Sequence, residues 1–315
     1  MDYGTNKPSK AQAKTPKKTT SRSGWTIKSV GLAVGIVATV TVIVAILKSE
    51  PSSGSQIAEN TNKVSISTEH EKSHWQPKEE SKTFAQYAGS KSCRECHREA
   101  FGLWLGSDHQ LAERLPEAGM DGMAFNPHRE IKQPHQTSDI SSKDGRFHIA
   151  TRGVSGKKES FEVERVIGET PLRQYLVKFP RGLLQAVDLS HDPHKDEWFN
   201  VFGDEDRQPG EWGHWTGRGM NWNTQCASCH NTRLRKNYDE ATDSYRTTMA
   251  ERSVSCEACH GPMKAHVDWR KQYAVGTDKD PTVRKFDNAQ WLAACGACHS
   301  RRTELTGDFQ PGDRY

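Results

Sequence analysis

The sequence predicts an α+β fold made mainly of short helices and irregular segments, with a small antiparallel β insertion and one N-terminal transmembrane helix. Three observations lead to this prediction. All eight cysteines fall in four Cys-x-x-Cys-His boxes, only 33% of the residues are hydrophobic, and one uncharged apolar stretch lies near the N-terminus. This small share of apolar residues supplies little material for a conventional core. We therefore expect the chain to fold around groups attached at the boxes.

The boxes, numbered 1 to 4 in chain order, have the attachment pattern of c-type haem. Two thiols three positions apart can each form a thioether with one porphyrin, and the following histidine can bind the iron. Two four-thiolate zinc sites or a thioredoxin-like redox dithiol are the alternatives, but neither requires a histidine after every second cysteine. We therefore expect short helices and irregular segments wrapped around four covalently bound c-type haems. Their attachment residues are Cys93, Cys96 and His97; Cys226, Cys229 and His230; Cys256, Cys259 and His260; and Cys295, Cys298 and His299.

The apolar stretch Ser29–Leu47 has nineteen residues without a charge. At about 1.5 Å per residue, a helix of this length can cross a hydrocarbon core of about 30 Å. The alternative is a cleaved signal peptide, whose apolar region is usually only about 7–15 residues and ends at a small-x-small site. Because Ile46 and Leu47 do not form such a site, we favour an uncleaved helix that attaches the protein to the cytoplasmic membrane.

Positive charge is concentrated before this stretch. Residues 1–28 carry seven basic residues and one acid, so the positive-inside rule leaves this tail in the cytoplasm and the rest of the chain outside. The whole chain has a net charge of +4, which leaves −2 for residues 29–315 and gives no support to nucleic-acid binding. Residues 48–83, rich in Ser, Glu, Lys, Asn and Pro, are expected to form a flexible linker.

Residues 84–315 are expected to form one multihaem domain. The spacing of apolar residues after box 1 predicts a helix over His97–Leu115. Short runs rich in Val, Phe, Leu and Tyr, separated by Gly and Pro, predict an antiparallel meander at about 144–203. Boxes 2 to 4 follow at intervals of thirty and thirty-nine residues, so we expect three crowded haems and a first haem set apart by the insertion. The polar segment 231–250 is expected to be connective.

Each haem iron also needs a sixth ligand, or an open face for substrate. In a continuous helix His97 and His109 would lie about 18 Å apart along the axis, so His109 should serve a different haem. His266 lies six residues after His260 on the same side as that ligand, and should also serve a neighbouring haem. The candidate distal ligands are His109, His266, His214 and His135. Alternative ligands that would raise the reduction potential are Met120, Met123, Met220 and Met263.

Several stretches resemble the periplasmic multihaem cytochromes of the cytochrome c-554 type, and more specifically larger bacterial multihaem proteins in which tetratricopeptide repeats often follow the haem domain. The matching stretches are KSCRECHREAFGLWLGSDHQLA, PLRQYLVKFP, GLLQAVDL, GHWTGRGMNWNTQCASCHNTRLRKNYD, VSCEACHGPMKAH and CGACHSRR, between about Tyr87 and Arg314. The resemblance implies that His109 and His266 are distal ligands. It also implies that haem is attached on the outer side of a bacterial cytoplasmic membrane, which agrees with the orientation predicted from the basic tail: a single-pass protein with its haem domain in the periplasm. Related chains usually continue with further haem boxes and helical repeats.

The favoured function is electron transfer by a membrane-anchored periplasmic tetrahaem cytochrome, between a quinol-linked donor and a periplasmic acceptor. Closely spaced haems form a relay whose potentials are tuned by ligand identity, burial and hydrogen bonds. The alternative is an enzyme acting on a small nitrogen or sulfur compound at a haem with an open face. A scaffold subunit that only recruits partners would not need four haems. We therefore expect redox proteins as partners, and an electron carrier more than a catalyst with its own substrate.

Overall fold

A computed structural model of the protein describes residues 78–273 and 279–314. The basic tail 1–28, the transmembrane helix predicted at Ser29–Leu47 and the linker up to residue 77 lie outside the described residues. Across the two described ranges, no helix has the length and apolar character that a membrane crossing requires.

The largest element is an antiparallel sheet of eight strands. Seven of them form the path β2-β3-β4-β5-β6-β7-β8, and β1 pairs with the end of β5. The strands are β1 (Glu113–Arg114), β2 (Arg129–Lys132), β3 (Thr137–Lys143), β4 (Arg146–Arg152), β5 (Lys158–Ile167), β6 (Arg173–Lys178), β7 (Leu184–Asp192) and β8 (Glu197–Asn200).

Alternating side chains explain the central strands. In β4 every second residue is buried, including Phe147 and Ile149, as expected for a strand with one face on a core. In β7 both faces are buried. Val187 contributes to one apolar cluster and Ala186 to a second cluster, so β7 separates the interior of the sheet from the segments that carry the boxes.

The sheet curls until its two edge strands come close together. Nη2 of Arg129 in β2 donates to both carboxylate oxygens of Asp196, which lies just before β8, at 3.0 and 2.8 Å. Nδ2 of Asn200 in β8 donates to the side chain of Gln133 at 2.6 Å. The edges are thereby covered by side-chain contacts, which protects them from pairing with other chains.

An aromatic core fills the curl. Phe125 packs edge-on against Tyr175 and Trp198, with ring centroids 5.0 and 5.3 Å apart. Such edge-to-face contacts are favourable beyond the area that they bury. The buried members of this cluster are Ala124, Phe125, Ile140, Phe147, Ile149, Val163, Val166, Tyr175, Val177, Val187, Leu189, Trp198 and Trp215.

The helices are short, between four and twelve residues. The longest begins with a reciprocal capping box, in which Asp287 accepts from the Gln290 backbone at 2.9 Å and Gln290 accepts from the Asp287 backbone at 3.0 Å. The helices are α1 (Glu80–Phe84), α2 (Ser90–Cys93), α3 (Arg98–Trp104), α4 (Ala118–Phe125), α5 (Trp222–Gln225), α6 (Ala227–His230), α7 (Cys256–His260), α8 (Lys264–Gln272) and α9 (Asn288–His299).

The polar segment between boxes 2 and 3 is structured rather than merely connective. It forms a two-stranded sheet of β9 (Asn231–Arg235) with β12 (Thr248–Arg252), and a smaller one of β10 (Tyr238–Asp239) with β11 (Ser244–Tyr245). Every residue of β9 is buried although most are polar. Hydrogen bonds and ion pairs, rather than an apolar face, make this strand stable.

The predicted fold class is wrong in its proportions. The β structure is no small insertion in a mainly helical domain, because the eight-stranded sheet extends from Arg129 to Asn200, recruits β1 as well and is the largest element of the described residues. The helix predicted over His97–Leu115 also stops at Trp104, since Gly106 has a φ of +79°, in the left-handed region that favours glycine.

Candidate functional site

Boxes 1 and 3 lie side by side. Cys93 ends α2, Cys256 begins α7, and these two helices pack together. The thiols of Cys93 and Cys256 are within hydrogen-bonding reach, and this bond, with a second from Ser90, lowers the pKa of the Cys256 thiol to about 6. The sequence spacing predicted that the insertion sets box 1 apart from the other boxes. This prediction is wrong, because box 1 lies against box 3.

A buried carboxylate inside box 3, that of Glu257, binds the backbone of the segment that precedes box 1. The Glu257 side chain accepts the backbone N–H groups of Ala88 and Gly89 at 2.9 and 2.8 Å, and that of Met263 at 2.7 Å. Bonds from backbone N–H groups to an ionised acceptor are stronger than neutral ones. Glu257 thus fixes the segment that leads into α2 against its own box.

Boxes 2 and 4 form a second pair. Their helices α6 and α9 pack together, and the Cys298 thiol hydrogen-bonds with the Cys229 thiol. That bond lowers the pKa of Cys229 to about 6. The two pairs of boxes thus share one arrangement, in which a thiol of one box meets a thiol of the other.

Boxes 3 and 4 join the two pairs. The imidazole of His260 packs edge-on against the indole of Trp291 in α9, with centroids 5.7 Å apart. Cys295 lies near enough to Cys259 for its charge to raise the pKa of that thiol, although burial contributes more. The boxes therefore lie in the spatial order 2, 4, 3, 1.

Two histidines outside the boxes face box histidines. The ring of His266 lies 6.1 Å from that of His97 in box 1, and the ring of His109 lies 6.2 Å from that of His299 in box 4, centroid to centroid. Two imidazoles bound to opposite sides of one metal ion, each about 2 Å from it, have centroids about 6 Å apart. Both pairs have the separation that a shared iron requires.

The box 2 histidine is oriented by the residues just before and in β1. Nδ1 of His230 lies 2.8 Å from the backbone oxygen of Ala112, so it donates to that oxygen and leaves Nε2 for a metal. Beside it, the buried carboxylate of Glu113 accepts from Arg165, Trp222 and Asn231 at 2.7, 2.6 and 2.7 Å. Box 2 is thereby tied to the sheet.

The structure brings the other two candidate ligands, His135 and His214, to a different place. Together they line a small, partly open cleft, with Arg152 and Asp188, and none of its lining residues belongs to a box. His214 accepts the Thr216 backbone N–H at its Nδ1, so its ring proton lies on Nε2. Burial and the charge of Arg152 lower its pKa to about 4.

The residues around the boxes fit haem. Large apolar side chains are exposed on α3 and α9 and next to them, close to boxes 1 and 4: Leu103, Leu105, Trp291 and Leu292. A porphyrin attached at each box would cover such surfaces, which soluble domains rarely leave in contact with water. In the described ranges, no group of three or more His, Cys, Asp or Glu residues is arranged to hold a bare metal ion.

Three carboxylates at the site were missed by the sequence reasoning: Glu113, Glu257 and Asp280. Their partners lie up to 169 residues away in the sequence, so no local pattern indicates them.

Comparison with known proteins agrees with the boxes. The family Cytochrome c554 and c-prime matches residues 207–261, which include boxes 2 and 3. Among solved structures, the chain is similar to the undecaheme cytochrome from the S-layer of Carboxydothermus ferrireducens, at 18% identity and a TM-score of 0.40. This similarity covers 69% of the chain but only 26% of the other, so the chain spans about a quarter of that protein's length. No curated protein matches the chain.

The class that the boxes and the family match support is the multihaem c-type cytochromes, with covalently bound haem c as the cofactor. Within that class, residues 207–261 are similar to the family Cytochrome c554 and c-prime, and this match covers about a sixth of the chain. Proteins of this class transfer electrons and work with redox partners.

Proposed function

We propose that the protein is a tetrahaem electron relay whose haems follow the spatial order of boxes 2, 4, 3 and 1. The observation that carries this proposal is a continuous series of contacts. Cys229 of box 2 contacts Cys298 of box 4, the helix of box 4 contacts box 3 through Trp291 and His260, and Cys256 of box 3 contacts Cys93 of box 1. Haem bound at each box supplies a one-electron iron couple. Contact between successive boxes keeps each electron step short.

In this proposal two of the irons are six-coordinate, each with two histidine imidazoles as axial ligands. His266 is the second ligand opposite His97, and His109 is the second ligand opposite His299, as their ring separations of 6.1 and 6.2 Å support. Both ligands come from outside the box that they serve, so each links remote segments of the chain. A fixed six-coordinate iron undergoes little rearrangement when it is reduced, which suits a carrier.

The proposed setting is the periplasmic face of a bacterial cytoplasmic membrane, with attachment through the apolar stretch at residues 29–47. Its support is the sequence: the uncharged stretch, the seven basic residues before it, and boxes of the kind that receive haem outside the cytoplasm. A quinol-linked donor in the membrane would then reduce the relay, and a periplasmic redox protein would oxidise it.

A second candidate function is the reduction or oxidation of a small nitrogen or sulfur compound at an open iron face. The observation in its favour concerns boxes 2 and 3. Within residues 78–273 and 279–314, no ring contact joins a second histidine to His230 or His260. Substrate would bind at one of these two sites.

A redox titration followed by optical and EPR spectroscopy tests the two functions on the haem-loaded full chain. Mass spectrometry first counts the haems, and four are expected. A relay predicts that the haems are reduced over overlapping ranges of potential and that the irons at boxes 1 and 4, which have paired imidazoles, do not bind carbon monoxide in the reduced protein. High-spin ferric iron with carbon monoxide binding would favour the enzyme, and a protein without covalent haem would overturn both.

Two variants test the ligand pairs. His266→Met and His109→Met should each change the low-spin signal of one haem and leave the others unchanged. His128→Ala is the matched control, because this histidine is 61% exposed in its side chain and lies on the sheet side. If both ligand variants behave like the control, the proposed coordination is incorrect.

A further inference from the structure

The imidazole of His266 is anchored by a buried carboxylate. Nδ1 of His266 lies 2.7 Å from Oδ2 of Asp280, whose side chain is only 4% exposed. The other oxygen of Asp280 accepts from the backbone and the hydroxyl of Thr282 at 2.8 and 2.5 Å, and Arg270 Nε lies 3.3 Å from Oδ2. Asp280 is therefore held in one orientation by groups other than the histidine.

This contact determines which ring nitrogen of His266 is available. A carboxylate can only accept, so the proton lies on Nδ1 and the lone pair lies on Nε2. The same pattern of imidazole and carboxylate orients metal-binding histidines in general, and it makes the imidazole a stronger electron donor to the metal.

The partner of His266 also differs in charge from that of the box 2 histidine. His230 donates to the neutral backbone oxygen of Ala112, whereas His266 donates to an anion. A negative charge on the ligand stabilises ferric iron over ferrous iron, because the ferric state carries one more positive charge.

We propose that Asp280 is a positioning residue for the distal ligand of the box 1 haem and lowers the reduction potential of that haem. The inference rests on the proposed function, since it takes His266 as the second ligand opposite His97. Asp280 acts in two ways: it holds the imidazole ring in place for the iron, and it increases the electron density on Nε2. Asp280 thereby lowers the potential of one haem of the relay by acting on its ligand His266.

The test compares Asp280→Asn with a matched loss of charge. Asp268 lies on the same helix as His266, pairs with Lys264 at 2.5 Å and is 52% exposed, so Asp268→Asn removes one negative charge without touching the imidazole. Asp280→Asn should shift the ferric to ferrous equilibrium of one haem about tenfold toward the reduced form, which corresponds to about 59 mV for one electron. Asp268→Asn should shift it less than twofold.

The measurement is an EPR-monitored redox titration of the haem-loaded full chain, at one pH and with haem content matched between variants. Asp280→Asn should also move the low-spin g values of one haem, because the axial imidazole loses its anionic partner. Asp280→Glu, which keeps the charge, should restore both the g values and the potential. It serves as the second variant if the asparagine protein does not fold.

The outcomes separate this inference from the proposed function. If His266→Met leaves every haem signal unchanged, His266 is not a ligand and the coordination under the proposed function fails. If His266→Met changes one haem but Asp280→Asn shifts no potential further than Asp268→Asn does, the ligand stands and the role of Asp280 is refuted. If Asp280→Asn raises the potential of one haem and Asp280→Glu does not return it to the wild-type value, the role of Asp280 is also refuted.

Discussion

Replacing Glu113 with glutamine should destabilise the junction between the sheet and box 2 far more than its small change in shape suggests. The side chain of Glu113 is fully buried, and its two oxygens accept from three donors at 2.6 to 2.7 Å. Oε1 serves Arg165, and Oε2 serves both Trp222 and Asn231. A glutamine has only one oxygen, so at least one donor must face an NH₂ group.

The size of the stability loss depends on which way the glutamine amide points, and we take the orientation that keeps more of the hydrogen bonds. With its oxygen toward Trp222 and Asn231, the glutamine turns its NH₂ group toward Arg165, which loses its anionic partner. An unsatisfied buried donor costs about 1–3 kcal/mol, and breaking a buried ion pair costs about 3–5 kcal/mol. Because the Arg165 side chain is 17% exposed and can be partly hydrated, we expect a loss of about 2–4 kcal/mol.

Equilibrium urea unfolding of the haem-loaded protein, followed by far-ultraviolet circular dichroism, measures this loss. At a slope of about 3 kcal/mol per molar urea, the midpoint should fall by roughly 1 M. Glu164→Gln is the matched control on the neighbouring strand β5, since Glu164 pairs at 2.8 Å with Lys178, which is 72% exposed. Surface pairs contribute about 0–1 kcal/mol. Equal midpoints for the two variants would refute the role assigned to Glu113.

Three further outcomes are expected. Burial raises the pKa of Asp188 to about 6, so the folded state holds the proton more tightly and stability decreases as the pH rises from about 4 to about 6. Asp188→Asn should remove that decrease in stability, which the size of the pKa shift puts at about 3 kcal/mol. The measurement is a pH series of urea midpoints, and a series as steep as that of the wild type would contradict this expectation. Gly182→Ala should cost about 2–4 kcal/mol, because φ is +74° and a Cβ would meet the Tyr245 backbone oxygen at 2.0 Å. Gly156→Ala, with φ +78° and open space, should cost only about 1 kcal/mol in the same unfolding assay. Glu257→Gln should weaken the magnetic coupling between the haems of boxes 1 and 3 in EPR spectra; unchanged coupling would show that Glu257 does not hold that pair.

The sequence identified the parts of the protein whose chemistry lies in adjacent residues. Each box is recognisable because its three functional residues lie within five positions. The central strands β4 to β7 could be predicted because they are short runs rich in Val, Phe, Leu and Tyr between Gly and Pro breaks. In both cases the determining interactions are local or periodic.

The rest of the fold depends on pairing between distant polar residues. In β9, Arg233 and Arg235 are buried by their ion pairs with Asp308, at 2.9 and 2.6 Å, more than seventy residues away. β3 contains three serines, and it hydrogen-bonds along β4 although Ile140 is its one apolar residue among seven. Hydropathy treats such segments as loops, so the size of the sheet was underestimated and segment 231–250 was assigned as connective.

The placement of the boxes shows the same limit. Sequence intervals indicated that boxes 2 to 4 are crowded, and contacts between boxes 2 and 4 and between boxes 3 and 4 agree with this. The intervals could not show that the chain returns after the sheet and brings Cys256 to Cys93. Long-range contacts of this kind are fixed by carboxylates such as Glu257, whose partners are backbone N–H groups without any sequence signal.

The short segment from His109 to Arg114 sets an order of events during maturation. It carries the imidazole that faces box 4, the carbonyl of Ala112 that orients the box 2 histidine, and the two residues of β1. Thioether attachment needs only the local box, but these groups reach their positions only when β1 has paired with β5. In the proposed relay, haem can therefore be attached before folding, whereas His109 reaches the box 4 iron only afterwards, and a chain whose sheet fails to form should carry the box 4 haem without its proposed second ligand.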